Sequence, residues 1–167
     1  MKTAVVYYSL EGNTHFAAEI IGRQLGADLV RLSPEKAYPT RGFGKYFWAG
    51  KSASFRESPL LSPYRFDVAQ YDLIILGTPV WAGIFAPPLR TFLRANPLAG
   101  KRIALFACCS GGDTAKCFDA LIREAGGGAP ASTLRMVDPL KGVEADVERS
   151  IGDFCAKLQS PQPRTVA

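Results

Sequence analysis

The sequence predicts an α/β fold, in which a doubly wound, five-stranded parallel sheet carries helices on both faces and so makes three layers. Short apolar runs rich in β-forming residues alternate along the chain with segments of helical period, which is typical of a parallel sheet. The first run, residues 2–8, is almost unbroken, as expected of a strand covered on both faces. With 167 residues, of which 47% are hydrophobic and 21% charged, the chain can bury the core of one domain, which we place at residues 1–158.

The first part of the chain supplies two strands and a helix. Residues 2–8 form the first strand, and residues 14–26 carry apolar side chains at helical spacing until Gly26 ends the helix. Residues 28–32 form a short second strand. A further helix could lie at about residues 42–54, although its glycines weaken that prediction.

The middle of the chain supplies the third and fourth strands with a helix between them. Residues 72–77 are almost wholly apolar and predict a deeply buried strand. The helix at about residues 86–95 is entered through two prolines, whose fixed φ suits a first helical turn. Residues 102–107 form the fourth strand.

The last part of the chain completes the alternation. We expect a helix at about residues 114–125, the fifth strand at 131–137 and the last helix at 143–158. Residues 159–167 contain two prolines and no periodicity, so we expect a disordered tail there.

The turn between the first strand and the first helix is the most informative segment of the chain. A strand that passes through a glycine-containing turn into a helix leaves several backbone N–H groups unpaired, with the positive end of the helix dipole behind them. Such a turn binds phosphate without a basic side chain, and serine and threonine hydroxyls can donate further hydrogen bonds. The alternative is a plain turn whose hydroxyls act only as helix caps. The turn consists of Ser9, Leu10, Glu11, Gly12, Asn13 and Thr14.

Other phosphate-handling motifs do not match this turn. It lacks the G-x-G-x-x-G of a dinucleotide-binding turn and the G-x-x-x-x-G-K-[ST] of a P-loop, so NAD and ATP are poor candidates. It contains no cysteine, which argues against a phosphatase with a thiolate nucleophile. Tyr8 and Ser9 stand where a phosphoryl-accepting receiver domain would need clustered acids.

The segment that contains this turn resembles the FMN-binding signature of the flavodoxins. The resemblance implies FMN as the cofactor and the strand order 2-1-3-4-5. It also implies that the turns after strands one, three and four converge on one crevice beyond the carboxyl ends of the strands. The aliphatic, aromatic, hydroxyl and small positions of the signature are filled by Val5, Val6, Tyr7, Ser9, Gly12, Thr14, Ala18 and Ile21.

By this resemblance, the turn after the third strand packs against the flavin ring. A tryptophan flanked by small residues can stack on a planar ring, although Trp81 could instead be a core residue that caps the sheet. The resemblance also implies that a backbone carbonyl at Ala82–Gly83 accepts a hydrogen bond from the ring, helped by a glycine that tolerates positive φ. The ring-binding candidates are Thr78, Pro79, Val80, Trp81, Ala82 and Gly83.

The turn after the fourth strand supplies the remaining candidates, which are Cys109, Ser110, Gly111 and Gly112. The glycines let the main chain come close to a ligand, and the resemblance implies that backbone groups bind the pyrimidine edge of the flavin. Asp113 or Thr114 would cap the next helix. No tyrosine is near enough in sequence to cover the second face of the ring, so that face is open to a substrate or covered by another segment. No catalytic side chain is predicted.

The cysteines and the lone histidine have mainly structural interpretations. The four cysteines show neither a disulfide framework nor a zinc spacing, so we expect no metal site. Cys108 and Cys109 favour packing over a redox dithiol, because neighbouring cysteines do not easily adopt disulfide geometry. His15 could touch a phosphate or be a solvated helix residue. With no secretory signal and no apolar stretch of the roughly 20 residues that span a membrane, a cytoplasmic location is expected.

The connection between the second and third strands carries most of the net charge of +5. From Pro34 to Phe66, aromatic residues are interleaved with six lysines or arginines and two acids, although these aromatics could simply cover the sheet. Electron-carrying flavodoxins are typically acidic. The resemblance and the charge together therefore predict an acidic redox partner or an anionic or aromatic small acceptor, such as a quinone. No nucleic-acid motif is present.

Two classes of function remain open from the sequence. The favoured one is an FMN-binding redox protein that transfers electrons, either as a carrier or as a small FMN-dependent reductase. The alternative is a non-catalytic binding or regulatory module on the same fold.

Overall fold

A computed structural model of the chain describes residues 1–40 and 58–160. The predicted helix at 42–54 lies outside the described residues, and so do residues 161–167 of the predicted tail. None of the helices in the described ranges combines the length and the apolar character that crossing a membrane requires. The helices are α1 (Asn13–Leu25), α2 (Pro87–Ala95), α3 (Ala115–Glu124) and α4 (Glu144–Gln159). The strands are β1 (Thr3–Tyr7), β2 (Asp28–Arg31), β3 (Leu73–Trp81), β4 (Ile84–Phe85), β5 (Arg102–Cys109) and β6 (Thr133–Val137).

Five of these strands form one parallel sheet in the order β2-β1-β3-β5-β6. Counted among the parallel strands alone, this is the order 2-1-3-4-5, and the predicted doubly wound fold is confirmed. The predicted helices and strands that fall within the described residues occur within a few residues of their expected bounds, with one exception. The third strand, expected to end at Gly77, continues to Trp81.

The extension of β3 ends in a hairpin that the sequence did not predict. Strand β4 pairs antiparallel with the end of β3, and Trp81 lies opposite Ile84. The two residues at the tip, Ala82 and Gly83, have φ angles of 49° and 78°. Two successive positive values are what a two-residue type I′ turn requires. At two residues, β4 is too short to leave an alternating pattern in the sequence.

Two apolar layers hold the helices against the sheet, which gives the three layers that were predicted. Side chains that alternate along a strand point to opposite faces, so neighbouring residues of the central strands enter different layers. On one face, helices α2 and α3 pack on the sheet through residues such as Phe92 and Leu121. On the other face, α1 and α4 pack on it through residues such as Ile21 and Phe154.

A glycine in the middle of the sheet makes room for a large side chain. Gly77 of β3 lies opposite Phe106 of β5, and Phe106 is fully buried. A Cβ atom on Gly77 would lie 2.1 Å from Cζ of Phe106, far closer than two carbon atoms can approach. The Phe106 ring therefore occupies the space that a side chain at position 77 would need.

Candidate functional site

A cavity of about 310 Å³ opens at the carboxyl ends of β1, β3 and β5, where the three turns singled out in the sequence come together. Most of the predicted site residues line it. Cys108 and Asp138 also line it, and the sequence analysis did not include them among the site residues. The predicted residues that line the cavity are Ser9, Leu10, Glu11, Asn13, Thr14, Pro79, Val80, Trp81, Ala82, Cys109 and Ser110.

The other predicted residues lie in the same turns without lining the cavity. The Thr78 hydroxyl is fully buried and tied to the main chain: it accepts a hydrogen bond from the Ala86 N–H (2.9 Å) and donates one to the Pro79 carbonyl (2.8 Å). It therefore stabilises the base of the hairpin. The four glycines have positive φ angles and set the course of their turns. These residues are Gly12, Gly83, Gly111 and Gly112.

The turn after β1 has the geometry of an anion site. Gly12 has a φ of 100° and donates its N–H to Ser9 Oγ at 3.2 Å, so the Ser9 hydroxyl proton remains available to a ligand. Helix α1 starts immediately afterwards with no side-chain cap and with no acidic residue in its first turn. The first N–H groups of a helix have no acceptor within the helix, so these donors fit a phosphate dianion. Neither Ser9 nor Thr14 makes a side-chain cap of α1, and the Ser9 hydroxyl accepts the Gly12 N–H within the turn instead.

No lysine or arginine of the described residues lines the cavity. A phosphate there would be held by backbone N–H groups, by hydroxyls and by the dipole of α1, as the sequence predicts for this type of turn. A Cβ on Gly12 would lie 3.2 Å from Cδ1 of Leu140 in a backbone conformation that side chains rarely adopt. Glycine is therefore required at this position of the turn.

The floor of the cavity contains a protonated thiol. Burial raises the pKa of Cys108 to about 12, and a hydrogen bond with the side chain of Thr14 only partly opposes that effect. Thr14 itself is only 1% exposed. Since the thiol is neutral at ordinary pH, it can donate to Thr14 Oγ1 and leave the threonine hydroxyl proton for an anion in the cavity.

The environment of the cysteines agrees with the prediction that they are packing residues. All four cysteines are free and buried. Cys109 Sγ donates a weak hydrogen bond to the Met136 carbonyl at 3.6 Å, which ties β5 to β6. Burial likewise raises the pKa of Cys117 to about 12 and that of Cys155 to about 11. Thiols of this kind are poor nucleophiles, so they do not resemble the reactive cysteines of redox dithiols.

His15 contacts side chains of its own layer rather than the cavity. Its Nδ1 is hydrogen-bonded to the Tyr7 hydroxyl at 2.7 Å, and its Nε2 lies 3.5 Å from a carboxylate oxygen of Glu19. The Tyr7 and His15 rings are stacked with their centroids 5.7 Å apart. His15 is not among the residues that line the cavity, and its imidazole connects β1 to α1.

Trp81 lies in the wall of the cavity and is at the same time largely buried. It lines the cavity, yet only 8% of it is exposed, because two tyrosines pack edge-on against it. The centroid of its ring lies 5.7 Å from that of Tyr8 and 5.1 Å from that of Tyr38. Edge-to-face pairs of this kind hold a ring in one orientation. The three rings form an aromatic cluster, defined here as Tyr8, Tyr38 and Trp81, of which Trp81 alone lines the cavity while the two tyrosines hold it in place.

The connection between β6 and α4 forms a further side of the cavity, and the sequence did not predict that this segment reaches the site. The carboxylate of Asp138 accepts hydrogen bonds from Ser110 Oγ (3.3 Å) and Lys141 Nζ (3.2 Å). The Leu140 N–H donates to Asn13 Oδ1 at 3.0 Å. A turn signal was present at the Asp-Pro step, but it did not reveal that this turn reaches the first helix.

The sequence offered Asp113 or Thr114 as the cap of α3, and the structure shows the capping hydrogen bond at Asp113. The Asp113 carboxylate accepts a hydrogen bond from the Ala115 N–H at 3.0 Å, whereas Thr114 makes no capping bond to α3. The Arg135 guanidinium donates to the Gly112 carbonyl at 2.8 Å and fixes the turn that precedes this helix.

The known proteins that this chain resembles are flavodoxins and flavoproteins, in agreement with the fold and the cavity described above. The family model described as Flavodoxin matches residues 2–131. A presumed flavoprotein from Bacteroides eggerthii has a TM-score of 0.74 at 20% identity, over 92% of this chain and 97% of its own. A flavoprotein from Lactobacillus acidophilus, solved in complex with FMN, has a TM-score of 0.71 at 25% identity, and the match covers 87% of this chain and 96% of its own. An NADH:FMN oxidoreductase in its apo form has a TM-score of 0.53 at 16% identity, and the match covers 99% of this chain and 94% of its own.

Proposed function

The chain belongs to the flavodoxin family, with FMN as its cofactor, and from that premise we propose that it is a redox protein that takes electrons from a reduced donor and passes them to an acceptor. The observation that supports the proposal most strongly is the cavity itself. The uncapped N-terminus of α1 and Trp81, which the aromatic cluster holds in place, are the two environments that a phosphorylated, planar cofactor needs.

The chain's own residues would divide the binding of FMN between them. The N–H groups at the start of α1, together with the Ser9 and Thr14 hydroxyls, would hold the phosphate. Pro79 and Trp81 would form the wall against the ring. The pyrimidine edge would meet backbone groups of Cys109 and Ser110.

The bound cofactor supplies the electron transfer, and the protein supplies orientation and a dry environment. The hairpin tip is the part of the wall that could present a backbone carbonyl to the ring, because Ala82 and Gly83 both have positive φ. Burial of Trp81 excludes water from that side. No acid or base side chain is required by this role. If the protein is an enzyme, it is an FMN-dependent oxidoreductase.

The partner and the location are part of the same proposal. A net charge of +5 favours an acidic redox protein or an anionic or aromatic small acceptor over the basic partners that suit acidic flavodoxins. Four buried, free thiols suit a reducing compartment, so we propose the cytoplasm.

Calorimetric titration of FMN into folded apoprotein tests the proposal. We expect one FMN per chain, and we expect Thr14→Val to weaken the affinity about 10- to 100-fold, since a hydrogen bond to a charged group contributes about 1.5–3 kcal/mol. Thr91→Val is the matched control. Its hydroxyl donates to the Pro59 carbonyl on the other side of α2, so it should leave FMN affinity unchanged.

The outcomes separate the possible functions. Folded wild-type protein that gives no heat with FMN would refute the proposal. Stopped-flow reduction of the loaded protein by NADH and NADPH divides the two forms of the proposal: rapid direct reduction favours a reductase, and no reduction favours a carrier with a separate protein donor.

A further inference from the structure

The turn between β6 and α4 places an acidic residue, Asp138, in the wall of the cofactor cavity. Burial is the main cause of the raised pKa of the Cys108 thiol, and the Asp138 carboxylate adds to it, so that carboxylate lies near the cavity floor. No lysine or arginine of the described residues lines the cavity to balance this charge. A carboxylate in such a place repels a phosphate dianion, so its presence in a phosphate-binding cavity calls for a compensating contact with the ligand.

The backbone at Asp138 has a conformation that suits glycine better than aspartate. Its φ is 37° and its ψ is 58°, in the left-handed region. Pro139 follows, and a residue that precedes proline favours extended backbone instead. Strained positions of this kind persist where the surrounding structure fixes them, and they cluster in ligand sites. The strain therefore points to a role for the carboxylate that glycine could not fill.

The turn that carries Asp138 is fastened to both of the turns that would bind the ends of FMN. Asp138 Oδ1 accepts a hydrogen bond from Ser110 Oγ at 3.3 Å, in the turn after β5. Two residues further on, the Leu140 N–H donates to Asn13 Oδ1 at 3.0 Å, at the start of α1. Residues 138–140 thus bridge the turn assigned to the pyrimidine edge and the turn assigned to the phosphate. The ribityl chain joins the same two ends of FMN, so this bridge is the part of the wall beside it.

The Asp138 carboxylate has acceptor capacity that the protein does not use. Oδ1 accepts from Ser110, and Oδ2 accepts from Lys141 Nζ at 3.2 Å. Each carboxylate oxygen has two lone pairs and can accept a second hydrogen bond. The side chain of Lys141 is 79% exposed, so water screens the ion pair and the carboxylate keeps most of its charge. Hydroxyl groups of a ligand suit such an acceptor, because a hydrogen bond to an ionised oxygen is stronger than one between neutral groups.

We propose that Asp138 binds the ribityl chain of FMN by accepting hydrogen bonds from its hydroxyl groups. The turn after β1 and Trp81 act on the two ends of the cofactor, whereas Asp138 acts on the chain between them and distinguishes a polyol from a plain alkyl chain. These hydrogen bonds offset the repulsion between the carboxylate and the phosphate. The proposal rests on the binding of FMN in this cavity, which is part of the proposed function, and it does not depend on the redox role.

A ligand without the hydroxyl groups isolates this contact. The probe is an FMN analogue in which a phosphopentyl chain replaces the phosphoribityl chain, so that the ring, the phosphate and the length of the chain are kept. Affinities for FMN and for the analogue are measured by quenching of flavin fluorescence, in the wild type and in Asp138→Gly. We expect the preference for FMN, which is the ratio of the two affinities, to fall about 10-fold or more in the variant, because that is the contribution of a hydrogen bond to a charged group. Repulsion of the phosphate affects both ligands equally and cancels in the ratio.

Two further variants separate the hydrogen bond from the charge and from the backbone. Asp138→Asn keeps a neutral acceptor and tolerates the positive φ, so the preference for FMN should fall only about threefold, since neutral hydrogen bonds are about half as strong. Asp113→Asn is the matched control. It removes the same charge from the turn after β5 at a residue that does not line the cavity, and asparagine can still cap α3. It should change the preference less than twofold.

The ratio decides between the contact and a purely structural role. If Asp138→Gly weakens the binding of both ligands and leaves the preference for FMN within twofold of the wild type, Asp138 only fixes the turns and the proposal is overturned. An equal change in Asp113→Asn would also overturn it, because the effect would then belong to the net charge. Wild-type protein that binds neither ligand would refute the proposed function as well, whereas a failure confined to the ratio leaves the proposed function intact.

Discussion

Replacing Gly77 with alanine tests how tightly the centre of the sheet is packed. The added methyl would lie 2.1, 2.3 and 2.9 Å from three carbon atoms of the Phe106 ring, where ordinary contacts begin at 3.4 Å. The ring would have to retreat by about 1.3 Å, the difference between 3.4 and 2.1 Å. It has little space to do so, because Phe106 is fully buried and both strands are hydrogen-bonded to neighbours on either side.

The expected cost follows from two opposing effects. Overpacking of a core costs about 1–3 kcal/mol, and the depth of the overlap puts Gly77→Ala near the upper end. Alanine restricts the unfolded chain more than glycine does, and this effect stabilises the folded state by about 0.4–1 kcal/mol. We therefore expect a loss of about 2–2.5 kcal/mol in the free energy of unfolding, which lowers Tm by about 4–10 °C for a chain of this size.

Urea unfolding of a double-mutant cycle is the assay. Phe106→Leu alone opens a cavity and destabilises the protein, but on the Gly77→Ala background it removes the clash, so the two changes should couple by more than 1 kcal/mol. Gly152→Ala, in helix α4, is the control: its Cβ would meet nothing closer than 4.0 Å and should stabilise the helix by up to about 1 kcal/mol. Additive effects of the two changes would refute the packing argument.

Three further predictions concern the hairpin and the thiols. Ala82→Asn should stabilise the protein by about 0.5–1 kcal/mol in thermal unfolding, because asparagine tolerates the positive φ of this exposed tip; Ala156→Asn in helix α4 should have the opposite sign. Gly83→Val should shift the two reduction midpoints of the FMN-loaded protein in a redox titration, and unchanged midpoints would mean that the hairpin does not tune the flavin. Stability in urea should fall as pH rises from 9 towards 12, because the unfolded Cys117 thiol loses its proton near its ordinary pKa of 9.0 while burial raises the folded pKa to about 12. Cys117→Ala should make that fall shallower by up to about 1.4 kcal/mol per pH unit, and an unaltered slope would contradict the assignment.

The features that the sequence predicted correctly are encoded locally. The apolar runs reveal the strands because a parallel strand is buried on both faces, and Gly12 marks the turn between β1 and α1 because that turn requires a positive φ. Trp81 was recognised from its place after a buried strand. In each of these cases, a few neighbouring residues carry the whole physical requirement.

The features that the sequence did not reveal depend on distant contacts or on weak local signals. The hairpin tip has alanine where a type I′ turn most often has asparagine, so the usual signal is missing. Tyr38 joins the aromatic cluster from beyond β2, and Asp138 reaches the cavity from beyond β6. No periodicity or spacing reports that such residues meet.

The hydrogen bond from Leu140 to Asn13 joins residues that are 127 positions apart along the chain. During synthesis, the turn after β1 is therefore made well before the segment that closes over it. A nascent chain that stops before Leu140 would lack that closing side, so tight uptake of the cofactor would await β6 and α4. Saturation with FMN would then distinguish chains that contain these two elements from chains that lack them.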